Sequence, residues 1–265
     1  MSDLATAFAR DGAVLVQGAL TSAEVERLAA GIDANLATPS PRALIASKPD
    51  DPGQFVEDFR CWQDNAAYRE IIFTSRLGEI AAGLMGSRTA RLHHDHMLTK
   101  LAGTRQATPW HQDQPYYNIA GRQNVSFWIP VDPVPRQASL EFVAGSHLGP
   151  WLMPRSFMDK QAKWFPEGTL AELPDIDAEP SAYDVLGWAV RPGDAIAFHM
   201  LTLHRAPGSA ALRRVFSARF IGDDARHAVR DWATSPDFPD LSETLPDGAP
   251  FDGPLFPLIW PEIDK

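Results

Sequence analysis

The sequence predicts a mainly β fold with flanking helices (α+β), a double-stranded β-helix of the jelly-roll or cupin type. Two observations predict it. Helical patterns lie in the first 86 residues, and after them come short apolar runs at close intervals, separated by Gly and Pro. No internal repeat breaks this order. At 265 residues and 45% hydrophobic, the chain can bury one large core, so a single domain spanning 1–265 is expected.

Each element follows from local pattern. Residues 3–10 suit a short helix leading into the aliphatic strand Ala13–Val16. Thr21 and Glu24 have capping-box spacing, and Val25, Leu28, Ala29, Ile32 and Leu36 then recur on one helical face as packing residues. Residues 37–53, rich in Pro, Ser and Asp, form a loop expected to border a site. Asn65 to Gly86 returns to helix, with Ile71, Ile72, Leu77, Ile80, Ala81 and Leu84 as its apolar stripe and Gly86 as its stop. Arg91 to Leu101 reads as a strand: His94, His96, Leu98 and Lys100 share one face, His93, Asp95, Met97 and Thr99 the other. A lining role suits His96 or Lys100.

Residues 125–143 look like two strands joined by a hairpin-like connection at 132–137, and 186–200 like a second hairpin around Pro192-Gly193. Between them, 149–183 is too irregular for core strands and too apolar for disorder, so a lid or substrate-side insert is expected there. Arg213 to Gly222 is the last long strand, and 226–265 is expected to wrap the core as an extended tail.

Charge narrows the partners. Twenty-four basic against 34 acidic residues give a net charge of −10, which disfavours a nucleic-acid partner. The single cysteine, Cys61, excludes an internal disulfide framework and fits a reducing compartment. The N-terminus has acids where a secretory leader needs a basic start, and no run approaches a membrane span. A cytoplasmic protein acting on a small molecule is expected; its oligomeric state is not legible.

The chemistry-bearing stretch is Thr108-Pro109-Trp110-His111-Gln112-Asp113-Gln114-Pro115-Tyr116-Tyr117. In extended backbone, residues i and i+2 share a face, so His111 and Asp113 can reach one ion together. The same pattern also arises as a plain hydrogen-bonded pair, and His93-His94-Asp95 supplies a second copy, with no turn or proline to free it from a strand ladder. A third ligand is available at His204, just after the strand-like run 195–200, or at His199 within it. Two imidazoles and one carboxylate, with other positions open, make the facial triad of non-haem Fe(II) oxygenases.

Thr-Pro-Trp-His-Gln-Asp, then Tyr116-Tyr117, Ser126 to Val131, Leu140 to His147, and Arg191-Pro192-Gly193-Asp194 ahead of His204, together resemble the phytanoyl-CoA dioxygenase family over roughly residues 8–225. The resemblance implies the same jelly-roll fold and an Fe(II)- and 2-oxoglutarate-dependent dioxygenase that consumes dioxygen. It implies His111, Asp113 and His204 as the catalytic metal ligands, because the family's distal His precedes a turn and then an arginine, as His204 does before Arg205-Ala206-Pro207-Gly208. A carboxylate at Asp113, where halogenating relatives lack one, implies hydroxylation or desaturation.

The oxoacid needs a cation for its distal carboxylate, and an arginine fork suits it. Strand alternation groups Arg214 with Phe216, Ala218 and Phe220 and favours it as core-facing, whereas the family spacing matches Arg213. Some relatives place a Ser or Thr where this chain has Ala206; Thr108 is the candidate to supply that hydroxyl. Trp128 is a candidate to pack beside the oxoacid, and Lys100 to neutralise a carboxylate. Gln112, Gln114, Tyr116, Tyr117 and Trp164 are candidates for a polar–aromatic pocket taking a small metabolite, a cationic one among the options. Two other readings compete: a cupin-like metalloenzyme that uses no oxoacid, and a non-catalytic jelly-roll binding protein.

Overall fold

The computed structural model describes residues 2–153 and 170–261. Helix α1 (Ser2–Asp11) and strand β1 (Ala13–Val16) open the chain, followed by α2 (Ser22–Ala37), β2 (Leu44–Ile45) and β3 (Phe55–Phe59). Then come α3 (Ala66–Thr74), α4 (Leu77–Met85), β4 (Ala90–Lys100), β5 (Thr108–His111), β6 (Ile119–Ala120), β7 (Asn124–Pro130) and β8 (Glu141–Val143). The second half holds β9 (Val185–Leu186), β10 (Ala195–Phe198), β11 (His204–Ala206), β12 (Arg213–Ile221), β13 (Arg226–His227), α5 (Leu241–Thr244) and β14 (Leu258–Trp260).

The expected capping box closes on α2: Glu24 N–H donates to Thr21 Oγ1, and Thr21 N–H donates back to Glu24 Oε2. The helical run from Asn65 to Gly86 divides into α3 and α4. Ser75 is the reason: it leaves helical backbone and its hydroxyl donates to Ile71 O while accepting from Leu77 N, so local side-chain bonding competes with the helix ladder. Gly86 ends α4 at φ 62°, the left-handed conformation its lack of Cβ permits.

All strand pairs are antiparallel. The large sheet runs β1-β10-β7-β12-β4-β3-β2 with β14 added against β4, the small one runs β5-β11-β8-β9, and β13-β6 form a third. Both expected hairpins are corrected. β7 lies between β10 and β12 and has no free edge for β8, which pairs with β11 and β9 instead. Likewise β9 belongs to the small sheet and β10 to the large one, so residues 132–137 and the Pro192-Gly193 turn carry the chain from sheet to sheet. That alternation is the jelly roll. Helices α2 to α4 cover the outer face of the large sheet through Leu28, Ile32, Ile71, Ile72, Leu77 and Ile80, packed against Phe127, Ile129, Phe216 and Phe220.

The chain after 226 adds β14 to the large sheet and sets Phe238, Leu241, Leu245, Phe251 and Phe256 against Tyr116, Tyr117 and Ile119. Among the described residues, no helix is long and apolar enough to cross a membrane.

Candidate active site

The site lies between the sheets, in a cavity of about 390 Å³ lined from both. His111 ends β5 and His204 begins β11, and the two face one another in the small sheet's register. Asp113 sits in the turn after β5, fixed because its N–H and that of Gln114 both donate to Met200 O at 2.8 and 2.9 Å. One ligand atom from each of His111, Asp113 and His204 lies within 4.8 Å of the others, and all three residues sit in this buried pocket. Asp113 Oδ1 is 3.5 Å from His111 Nε2 and 3.8 Å from His204 Nε2.

Backbone carbonyls set the tautomers. His111 Nδ1 lies 2.8 Å from Pro109 O and His204 Nδ1 2.9 Å from Thr202 O. A carbonyl can only accept, so each Nδ1 carries a proton, which leaves each Nε2, turned towards Asp113, as the atom that can offer a lone pair to a metal. Burial, reinforced by the neighbouring His111 ring, pushes His204 down to about 3, so it is neutral at physiological pH. Burial alone would raise the Asp113 carboxyl, but the Arg219 guanidinium holds it well below the ordinary carboxylate range. Its second oxygen, Oδ2, is 3.4 Å from Arg219 Nη2 and 3.5 Å from Ser126 Oγ. Two imidazoles and a carboxylate converging on one buried point fit a divalent iron.

The second His-x-Asp copy is pulled apart. The register between β4 and β12 jumps from His94 to Leu92 opposite Arg219 and Phe220, leaving His93 as a bulge. Strict alternation, which would separate His93 from His94, therefore fails: their Nδ1 atoms are 2.7 Å apart. His93 bonds Asn118 and sits among Phe238, Phe251 and Phe256, whereas Asp95 accepts from Cys61 N and Trp62 N. His199, the other candidate third ligand, has both ring nitrogens bonded to backbone, at Arg122 O and Leu201 N.

Arg213 and Arg214 diverge. Arg213 is 5% exposed and lines the cavity with its guanidinium 5.7 Å from the Trp128 ring centroid, and one of its nitrogens bonds Ala138 O. Arg214 points away and is neutralised by Asp132 and Asp33 at 2.7 and 2.8 Å. Thr108, Trp128, Tyr116, Tyr117 and His96 also line the cavity.

Three sequence candidates stand elsewhere. Gln112 spends its amide on Pro150 O, Leu201 O and Leu152 N; Gln114 spends its own on Ile119 O, Gly121 O and Asn124. Both hold loop backbone rather than wall. Lys100 Nζ donates to Gln106 O and Pro207 O beneath the Phe55 ring, and burial followed by Arg213 pushes its ammonium down to about 7. Trp164 lies outside the described residues.

Sequence reasoning missed Glu57 and Arg219, both on the cavity wall. Each was visible as a charge in a period-2 set: Phe55-Glu57-Phe59 on β3, and Arg213-Val215-Ser217-Arg219 on β12. A wider outer cleft meets the cavity at Thr108 and Ala206, and its far wall is Leu173 to Asp177. Arg205 ties that wall down by pairing with Asp177 and Glu141, both at 2.6 Å.

A family model described as phytanoyl-CoA dioxygenase matches residues 8–215. No curated protein matches the sequence significantly. Similar solved structures include the epimerase SnoN in complex with Fe3+, alpha ketoglutarate and nogalamycin RO, at 23% identity and TM-score 0.78, covering 97% of this chain and 98% of that one. The alpha ketoglutarate dependent carbocyclase SnoK is similar at 22% identity and TM-score 0.74, over 98% and 96%. EctD from S. alaskensis, with 2-oxoglutarate and 5-hydroxyectoine, is similar at 18% identity and TM-score 0.69, over 96% and 88%. At these identities the likeness is one of fold.

Proposed function

The chain belongs to the phytanoyl-CoA dioxygenase family, and from that premise we propose that it hydroxylates a small-molecule metabolite using Fe(II), 2-oxoglutarate and dioxygen. The balance is one C–H bond converted to C–OH, with 2-oxoglutarate leaving as succinate and CO2. The observation that carries this reading is the presence of His111, Asp113, His204 and a buried arginine, Arg213, in one cavity. Iron bound there supplies the activation of dioxygen.

The chain's own residues supply position and protection. His111 and His204 offer fixed Nε2 lone pairs, and Asp113 offers Oδ1 while Arg219 holds its other oxygen. Arg213 offers the distal carboxylate of the oxoacid a charge-assisted hydrogen bond, with Trp128 beside it and Thr108, which also lines the cavity, to add a hydroxyl. Burial pushes Arg213 down only to about 10, so it stays cationic at neutral pH. Phe198, Leu140 and Val215 keep the same cavity dry.

We read 1–265 as one catalytic unit acting in the cytoplasm, with 149–183 as its substrate-side insert; residues 154–169 of that insert lie outside the described residues. The test is succinate formation from 2-oxoglutarate under air with Fe(II) and ascorbate. Wild type forms succinate in a metal-dependent way, and His111→Ala and Arg213→Ala lose it. Bound iron without succinate would instead point to an oxoacid-independent enzyme, and no bound iron to a binding protein.

A further inference from the structure

One wall of the cavity has a polar pair that neither the metal nor the oxoacid uses. On β3, Phe55, Glu57 and Phe59 all line the cavity, so a glutamate stands between two phenylalanines on an inward face. Glu57 is 8% exposed, and among the described residues its ion-pair partner is His96, with Nε2 3.2 Å from Oε1. That approach lacks hydrogen-bond geometry, and His96 Nε2 is a buried nitrogen without a hydrogen-bond partner. The ring cannot swing freely, since it stacks on Phe59 at 3.9 Å and 21°. Burial lowers the His96 pKa against the pull of Glu57, so the imidazole brings no full charge.

The nearby cations are engaged elsewhere. Arg219 holds Asp113, Lys100 is bound to two carbonyls, and Arg213 is the oxoacid's partner in the proposed reaction. A buried carboxylate beside an apolar space and without a cation is unfavourable unless a ligand brings a donor to it. The rim above it is apolar: Leu44 and Ile45, 55% and 61% exposed, line the same cavity, and Leu44 stands opposite Glu57 in the β2–β3 register.

We propose that Glu57, with His96 beside it, receives a hydrogen-bond donor of the primary substrate, a hydroxyl or a protonated amine carried on an apolar body that rests on Leu44, Ile45 and Phe59. The inference rests on the oxygenase reading for the identity of the cavity and adds the class of compound it takes. A volume of about 390 Å³, shared with the oxoacid, limits that compound to a small one.

The test uses one ring with three head groups: cyclohexylmethanol, cyclohexylmethylammonium and cyclohexanecarboxylate. Each is titrated calorimetrically, without oxygen, into the wild type and Glu57→Gln loaded with Fe(II) and 2-oxoglutarate, and again into the metal-free chain. In wild type, at least one donor probe binds about 10-fold more tightly than the carboxylate, and the better of the two identifies the donor as hydroxyl or ammonium. In Glu57→Gln the donor probe weakens about 10-fold and the carboxylate tightens, a gain that an unfolded variant cannot show. Equal binding of all three probes, no saturable binding of any, or an unchanged ranking in Glu57→Gln overturns the proposal. Failure of wild type to bind 2-oxoglutarate would overturn the oxygenase reading instead, and the ranking on the metal-free chain would still decide the role of Glu57.

Discussion

His111-Gln112-Asp113 and His93-His94-Asp95 hold the same residue types at the same spacing, yet the fold makes a ligand cluster of one and packing of the other. The difference lies in where each stands on its strand. β5 ends at His111, and the turn that follows lets Asp113 fold back until its Oδ1 is 3.5 Å from the His111 ring. His93 and Asp95 lie inside the 11-residue strand β4, which runs along β12, and there one is bulged into an aromatic cluster while the other accepts two backbone N–H groups.

Electrostatics follow position. Asp113 is held low by Arg219 despite its burial, whereas burial pushes Asp95 up to about 6 with backbone N–H donors opposing. A carboxylate becomes a metal ligand where cations and lone-pair donors surround it; the spacing alone does not decide.

The same contrast recurs on β12 and gives the largest predicted effect. Arg213→Ala weakens 2-oxoglutarate binding about 100-fold, because a buried charge-assisted bond is lost, while Arg214→Ala leaves it unchanged and lowers stability by about 1 kcal/mol. Calorimetric titration of 2-oxoglutarate and a denaturant melt check the two halves. Equal weakening in both variants would erase the distinction between the faces.

Arg219→Gln sharpens the account of Asp113. Losing the cation that holds Oδ2 weakens metal binding about 10-fold, as changes behind a ligand commonly do, and dialysis against a graded metal buffer measures it.

The smallest effect on the site itself is that of Asp95, which acts on stability instead. Its carboxyl titrates near 3.8 when unfolded and about 6 when folded, so the folded chain holds a proton that the unfolded chain releases. This group's contribution to stability is present below about pH 4 and is lost as pH rises to about 6, at up to about 1.4 kcal/mol per pH unit. Asp95→Asn removes that slope, and chemical melts of both proteins across pH 4 to 6 should converge towards the acid end by about that amount. Parallel curves would contradict it.

Much of the site was legible because its residues are close in sequence or carried by family motifs: His111, Asp113, His204 and Arg213 all reach one cavity. Arg213 needed the family spacing, since alternation tells the two faces of β12 apart without saying which face meets a cavity and which meets helices. Glu57 and Arg219 were visible only as charges on otherwise apolar or mixed faces, and nothing local says that β3 and β12 curve around one space. The misread hairpins have the same origin. Residues 132–137 look like a turn, but a strand pairs with the edge that is free, and β10 and β12 had already taken both edges of β7. The bulge at His93 depends on that pairing too, so alternation along β4 could not reveal it.

The central claim is that the ligand cluster forms at His111 and not at His93. Titration of Co(II), as an oxygen-stable stand-in for Fe(II), into wild type, His111→Ala and His93→Phe tests it directly, phenylalanine being chosen to suit the ring's aromatic neighbours. One site per chain in wild type and His93→Phe, and none in His111→Ala, is the result expected. A site that survives His111→Ala, or one that disappears in a folded His93→Phe, would contradict it.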